Sequence, residues 1–198
     1  PDAKTVWKAS GDVLSPDSPV ELQWDNAEGQ RFRIRLSIDD NYMITVDQRV
    51  ANRSGAPAVV QPYGLVGRTS DTASQSMWIA HSGPIGTFSD SANYDYDYDD
   101  VEEAGRISPE GTTDWVGFTD IYWLAAMVPD AGAAPEATFR SLGGNVYRAD
   151  MIYEATTLPS GNALTVTSRL YAGAKESAVL DSYEDAGLQK FGLAIDWG

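Results

Sequence analysis

The chain has 198 residues, with 29 Asp and Glu against 14 Lys and Arg for a formal charge of −15, and 42% of it is hydrophobic, including 6 Trp, 10 Tyr and 5 Phe. That is apolar material enough for one sizeable core, and a single domain over 1–198 is expected. The acidic balance argues against nucleic acid and against holding an anionic lipid surface by charge alone; the absence of Cys removes thiolate metal sites, disulfides and Cys nucleophiles.

No run reaches the roughly 18 apolar residues of a membrane-spanning helix, and no signal-peptide pattern is present. In chain order, the first clear pattern is RFRIRLSI, where Phe32, Ile34, Leu36 and Ile38 alternate with Arg31, Arg33, Arg35 and Ser37. A period of two predicts a strand with one buried face. A turn at Asp39 to Asn41 leads to a second strand, with Tyr42, Ile44, Val46 and Val50 on one side. Asn52 to Gly55 closes this hairpin. Asn52 also heads an Asn-Arg-Ser glycosylation sequon, but the hairpin turn is the reading taken. Further strands are expected over Ala58 to Tyr63, Gly64 to Thr69, Ser76 to Ala80, Asp114 to Thr119, Tyr122 to Val128, Ala137 to Leu142, Val146 to Leu158 and Ala163 to Tyr171. Ser141 to Asn145 (SLGGN) reads as a turn. Short β runs separated by turn residues predict an all-β antiparallel sandwich or barrel. From Lys175 to about Ala186, Val179, Leu180 and Tyr183 fall at helical spacing with Gly187 as the C-terminal cap, so one helix ends the domain.

YDYDYDD, Tyr94 to Asp100, has alternating Asp at Asp95, Asp97 and Asp99. As a calcium loop counted from Asp95 it lacks the required Gly at position six and Glu at position twelve, where Asp100 and Arg106 stand. The favoured reading is an edge strand with tyrosines inward and aspartates outward. No Lys or Arg lies between Arg68 and Arg106, so this face is a negative patch that a partner can dock on. His81 is the only His and reads as a polar residue at a strand end, with no triad or nucleophile elbow around it. No metal or cofactor site is expected. Asp114 to Asp130 reads as two adjacent central strands joined near Thr119 and Asp120, burying Trp115, Phe118, Trp123 and Leu124; a sugar-stacking platform is the sharper alternative.

WVGFTDIYWLAAMVP (Trp115 to Pro129), RLYAGAKE (Arg169 to Glu176) and IDWG (Ile195 to Gly198) occur in the order and spacing of the large periplasmic domain of the YidC membrane-protein insertases of Gram-negative bacteria. Ser18 to Phe32 and Asp39 to Gly55 also resemble its opening strands, so the resemblance spans nearly the whole chain. Where the family commonly reads Gly-Pro-Lys this chain has Gly173, Ala174 and Lys175. The resemblance implies a β-supersandwich of the galactose-mutarotase type, about 1–172, then the helix and an exit segment 188–198. It singles out Trp115, Gly117, Tyr122, Trp123, Gly173, Lys175, Glu176, Asp196, Trp197 and Gly198 as family-motif residues. It further implies a non-catalytic domain in the periplasm, part of an inner-membrane protein. The implied partners are SecD/SecF and other Sec translocon components, nascent inner-membrane proteins and the insertase's own transmembrane core. The ending FGLAIDWG is accordingly expected to be a domain boundary, with Leu193 and Ile195 in a last extended segment. Two other readings stand beside this one: a sugar-binding or aldose-epimerase-like supersandwich, and a spacer holding Sec partners above the membrane.

Overall fold

The computed structural model describes residues 1–198 apart from Ala3, residues 75–80, Asp90 and residues 196–198. The strand expected over Ser76 to Ala80 and the motif residues Asp196, Trp197 and Gly198 therefore lie outside the described residues. In chain order the strands are β1 (Lys8–Ala9), β2 (Val20–Asp25), β3 (Gln30–Ile38), β4 (Met43–Asn52), β5 (Ala58–Val60) and β6 (Tyr63–Thr69). They continue as β7 (Gly83–Phe88), β8 (Ser91–Asn93), β9 (Arg106–Ile107), β10 (Thr113–Thr119), β11 (Trp123–Pro129), β12 (Glu136–Ser141), β13 (Val146–Ile152), β14 (Thr156–Leu158) and β15 (Ala163–Ala174). Two helices, α1 (Tyr98–Ala104) and α2 (Ser177–Asp185), and short 3-10 turns at Ser70–Thr72 and Phe191–Ala194 complete the set. The chain divides into two compact units, Pro1–Pro62 with Glu154–Arg169, and Tyr63–Tyr153 with Leu170–Gly198.

The first unit is built on the antiparallel order β1-β2-β3-β4, with β15 beside β4 and a separate β5–β14 pair. The predicted hairpin is β3–β4, in register from Gln30↔Asn52 to Ile38↔Ile44. Asp39 makes its turn: the Asp39 carboxylate accepts from the backbone N–H groups of Asn41 and Met43 at 2.9 and 3.0 Å. Two expectations are corrected. Tyr42 sits in this turn at φ 72° with its ring exposed, so it is not on the buried side of β4. Phe32, Ile34, Leu36 and Ile38 are half-buried, while the side chains removed from water are Gln30, Met43, Val50 and Asn52. Asn52 is 1% exposed because it is a hub: its amide donates to the carbonyls of Ala56 and Leu158 at 2.8 and 2.9 Å, and its oxygen accepts from Ser54 and Gln30. The strand expected over Ala58 to Tyr63 is broken at Gln61 and Pro62, and the run from Val146 to Leu158 is broken at Tyr153 to Ala155. Pro62 has no N–H for a ladder.

In the second unit the order β15-β11-β10-β7-β8 packs face to face on β6-β13-β12-β9. Val116, Phe118 and Met127 meet Phe139, Tyr147, Ala149 and Met151 between the sheets. The other face of β10 is also covered: Trp115 lies edge-on to Phe191 at 5.8 Å, and Phe191 lies edge-on to Tyr171 and Tyr183 at 5.5 and 6.2 Å. Burial on both faces is why this strand reads as a continuous apolar run rather than an alternation. The edge strand expected over Tyr94 to Asp100 is instead a short connection leading into α1. Asp97 caps the helix, accepting from the Asp100 N–H at 2.9 Å, and the Asp100 carboxylate accepts in return from the Asp97 N–H at 2.9 Å. This reciprocal box satisfies helix-end donors that a strand would leave to the ladder.

The terminal helix forms as expected, one or two residues shorter at each end. Gly187 at φ 103° closes it, with Leu188 N–H on the Tyr183 carbonyl and Gly187 N–H on the Glu184 carbonyl, a Schellman pair of bonds. The extended segment expected at Leu193 and Ile195 is corrected: Lys190 at φ 62° turns the chain into the 3-10 turn Phe191–Ala194, which buries Phe191 and leaves Leu193 exposed.

Candidate functional site

The described family-motif residues lie on the β10–β11 hairpin, at the end of β15 and at the start of α2. β10 and β11 pair from Val116↔Met127 to Thr119↔Leu124. The Asp120 N–H donates to the Trp123 carbonyl at 2.8 Å, leaving Ile121 and Tyr122 as a two-residue tip. Trp115, Phe118 and Leu124 are buried as expected. Trp123 is not: it is 64% exposed, and Tyr122 beside it is 73% exposed. The reason is position, since Tyr122 lies in the turn and Trp123 is the first residue of β11, while Leu124, one residue on, takes the opposite face of the strand and is buried.

Asp120 holds the tip from below. Its carboxylate pairs with Arg68 at 2.9 Å, accepts from the Ile121 N–H at 2.7 Å and lies within 3.3 Å of the Ser74 N–H. Burial pushes the Asp120 carboxyl up, but the hydrogen bonds from Ser74 and Ile121 and the Arg68 charge outweigh it, so the group is held below the usual carboxylate range. Lys175 fastens the helix start to the same hairpin: its backbone N–H donates to the Tyr122 carbonyl at 2.9 Å and its Nζ donates to Thr119 Oγ1 at 2.9 Å. Gly173 is buried near the end of β15, and Glu176 is the exposed N-cap of α2, with no side-chain bond to the helix. Motif residues distant in sequence thus form one tethered corner, and two aromatic rings stand out from it. Such a corner suits contact with another surface.

The acidic tract is separate chemistry. Asp95, Asp97 and Asp99 are exposed while Tyr94, Tyr96 and Tyr98 turn inward, so the in–out alternation holds although the strand does not. Tyr98 lies 4.8 Å from Tyr147 and 6.2 Å from Phe118, and burial pushes its phenol up against the pull of the neighbouring Arg68. The Tyr94 hydroxyl donates to the Leu193 carbonyl, tying the tract to the terminal turn. Of the three aspartates proposed as a patch, Asp97 is occupied as a helix cap. His81 Nε2 is bonded to the Pro84 carbonyl at 2.7 Å, ahead of β7, and its ring meets Tyr94 edge-on. Among the described residues no group of three His, Cys, Asp or Glu side chains is placed to hold a metal, and no helix is long and apolar enough to cross a membrane. The Asp120–Arg68 pair and the Asn52 hub were not singled out from sequence. An Asp at a predicted strand junction was the one available sign of the first.

The family described as the YidC periplasmic domain matches residues 1–198. The chain belongs to this family. Among relatives, the membrane protein insertase YidC of Zymomonas mobilis subsp. mobilis is 40% identical over 202 residues, and those of Nitrobacter hamburgensis and Rickettsia canadensis are 39% and 36% identical; each match covers 100% of this chain. The chain spans only 35–36% of those relatives' length. In fold, this YidC periplasmic domain is similar to a galactose mutarotase related enzyme of Lactobacillus acidophilus (TM-score 0.56, 10% identity, 87% of this chain and 74% of that one). It is also similar to an aldose 1-epimerase described as putative from Escherichia coli K12 (TM-score 0.53, 9% identity, 85% and 68%). The all-β, mutarotase-like sandwich with a helix near the C-terminus is therefore the fold of this YidC periplasmic domain.

Proposed function

We propose that this chain is the non-catalytic periplasmic docking domain of an inner-membrane YidC insertase, continuous with flanking transmembrane segments and a transmembrane core. Its role is to support insertion and folding of nascent inner-membrane proteins by contacting Sec translocon partners, SecD/SecF among them. The observation that carries this reading is the tethered corner: Lys175 binds the β10–β11 tip to the start of α2, and Tyr122 and Trp123 project from it. Exposed aromatic side chains on a rigid tip are what a docking surface needs. The test is photocrosslinking in intact membranes from a benzophenone amino acid replacing Tyr122 or Trp123. Recovery of a Sec component supports docking. Recovery of neither a Sec component nor a nascent chain sinks it. Mutarotation of glucose by the purified chain, abolished in His81→Ala, would instead select the epimerase-like reading.

A further inference from the structure

The net charge of −15 is unevenly placed. The first unit carries eight Lys and Arg against ten Asp and Glu, a net −2, whereas the second carries six against 19, a net −13. Within the first unit the basic residues collect on one face of its sheet. Side chains at registered positions of an antiparallel sheet share a face, so Lys8, Gln23, Arg33 and Arg49 form one row across β1, β2, β3 and β4. The rows on either side read Asp25, Arg31, Ala51 and Glu21, Arg35, Asp47.

The flanking rows carry carboxylates of their own. Arg31 pairs bidentately with Asp25 at 2.6 and 2.9 Å. The central row has three cations and no carboxylate, and Arg33 directly opposes Arg49. Like charges placed opposite each other destabilise a sheet. Glu21 of the neighbouring row pairs with Arg33 at 3.6 Å, too long for a hydrogen bond, and among the described residues the shielded Arg33 Nε has no hydrogen-bond partner. Among the described residues Arg49 reaches only the Thr165 hydroxyl, at 3.3 Å. Lys8, Arg35, Arg49 and Arg53 are exposed. A local conflict kept in an otherwise consistent sheet is a mark of a surface made for something outside the chain.

We infer that this arginine face docks on an anionic phospholipid surface. Strands lie about 4.8 Å apart and successive outward residues about 6.8 Å apart, so the row and its neighbours form a flat array of cations suited to a plane of phosphate headgroups. Preferring a lipid plane to an acidic polypeptide rests on the reading of the chain as a membrane-tethered domain, where tethering raises the effective concentration of lipid.

The experiment is sedimentation of the 198-residue chain with vesicles of phosphatidylcholine alone or with about one third phosphatidylglycerol, at about 20 mM and about 300 mM salt, across which charge screening rises several-fold. Binding is expected only to the phosphatidylglycerol vesicles and only at low salt. Arg33→Gln with Arg49→Gln should lower it roughly 30-fold, about fivefold for each basic residue. Arg33→Lys with Arg49→Lys should retain it, and Lys4→Gln with Arg106→Gln should leave it unchanged. A circular-dichroism melt shows that each variant is folded; the Gln pair should melt no lower than the parent. The inference is overturned by no binding at low salt, by equal binding to both vesicles, by loss in the Lys pair, by an unaffected Gln pair, or by capture of poly-glutamate in place of vesicles. The readout uses lipid and purified chain only, so its failure is distinct from failure of Sec crosslinking.

Discussion

Gly117 and Ala125 lie so close across the β10–β11 ladder that a Cβ on Gly117 would overlap the Ala125 carbonyl oxygen and stand 2.8 Å from both the carbonyl carbon and the Ala126 Cα. The contact is with backbone, which cannot swing aside as a side chain would. Nor can β10 shift away, because Trp115 is packed on one face and Val116 and Phe118 on the other. Gly117→Ala should therefore cost about 1–3 kcal/mol, the range for overpacking a filled core. A guanidinium unfolding curve reads this directly, and an unchanged midpoint would mean that the strands separate freely.

Asp120 gives the domain an acid-sensitive element. Its carboxyl is held lower in the folded chain than in the unfolded one, so at pH between the two values the unfolded chain binds more protons. The stability it contributes is complete above the unfolded value of about 3.9 and is lost as pH falls through the folded value. Asp120→Asn should cost about 2 kcal/mol at neutral pH, since hydrogen bonds to a charged group are the stronger kind. The gap between parent and variant should close in acid, as pH falls below the unfolded value of about 3.9 and through the lower folded one. Paired urea titrations at the two pH values test this; a gap that stays constant would place the effect in shape rather than charge.

Where side-chain period and turn chemistry agreed, the sequence was legible. The β3–β4 hairpin, the β10–β11 pair and the capped α2 form where their residues predict them. Legibility failed where one pattern serves two structures. YDYDYDD alternates inward and outward like a strand, but Asp97 and Asp100 are also a capping box, and the box prevailed. The apolar density of Asp114 to Asp130 could not tell buried Trp115 from exposed Trp123, because what separates them is the place of the turn and a layer contributed by Tyr171, Tyr183 and Phe191 far along the chain. Total charge likewise concealed the arginine face, since a sum carries no position.

The acidic tract can be tested for docking without disturbing its fold, provided the cap is spared. Asp97→Ala should cost about 1 kcal/mol by removing the N-cap, so it is a stability probe. Asp95→Lys with Asp99→Lys leaves the box intact and should change thermal stability little. If the tract receives a basic partner, that pair should weaken the association in a pull-down from membranes while the melting temperature holds. Unaltered association would mark the tract as solvated surface.

Asn52 is the residue at which a recognisable sequence signal and the structure disagree about use. The Asn-Arg-Ser sequon presents its amide to no enzyme in the folded chain, because the Asn52 Nδ2 is already spent on the Ala56 and Leu158 carbonyls. Asn52→Ala would remove the side-chain donor to the Leu158 carbonyl and the acceptor of the Ser54 N–H, leaving Ala56 and Gln30 their bonds to Ser54 and Glu28, and should cost about 3 kcal/mol. Asn52→Asp keeps the shape but sets a carboxylate against two carbonyls. It should be the more damaging change at neutral pH and should recover in part on acidification, when a protonated acid can donate to one of them. Urea unfolding of both variants at neutral and mildly acidic pH separates the two effects. If Asn52→Asp proves as stable as the parent at pH 7, the hub is held by its backbone bonds to Gly161 and Asn162 and not by its amide.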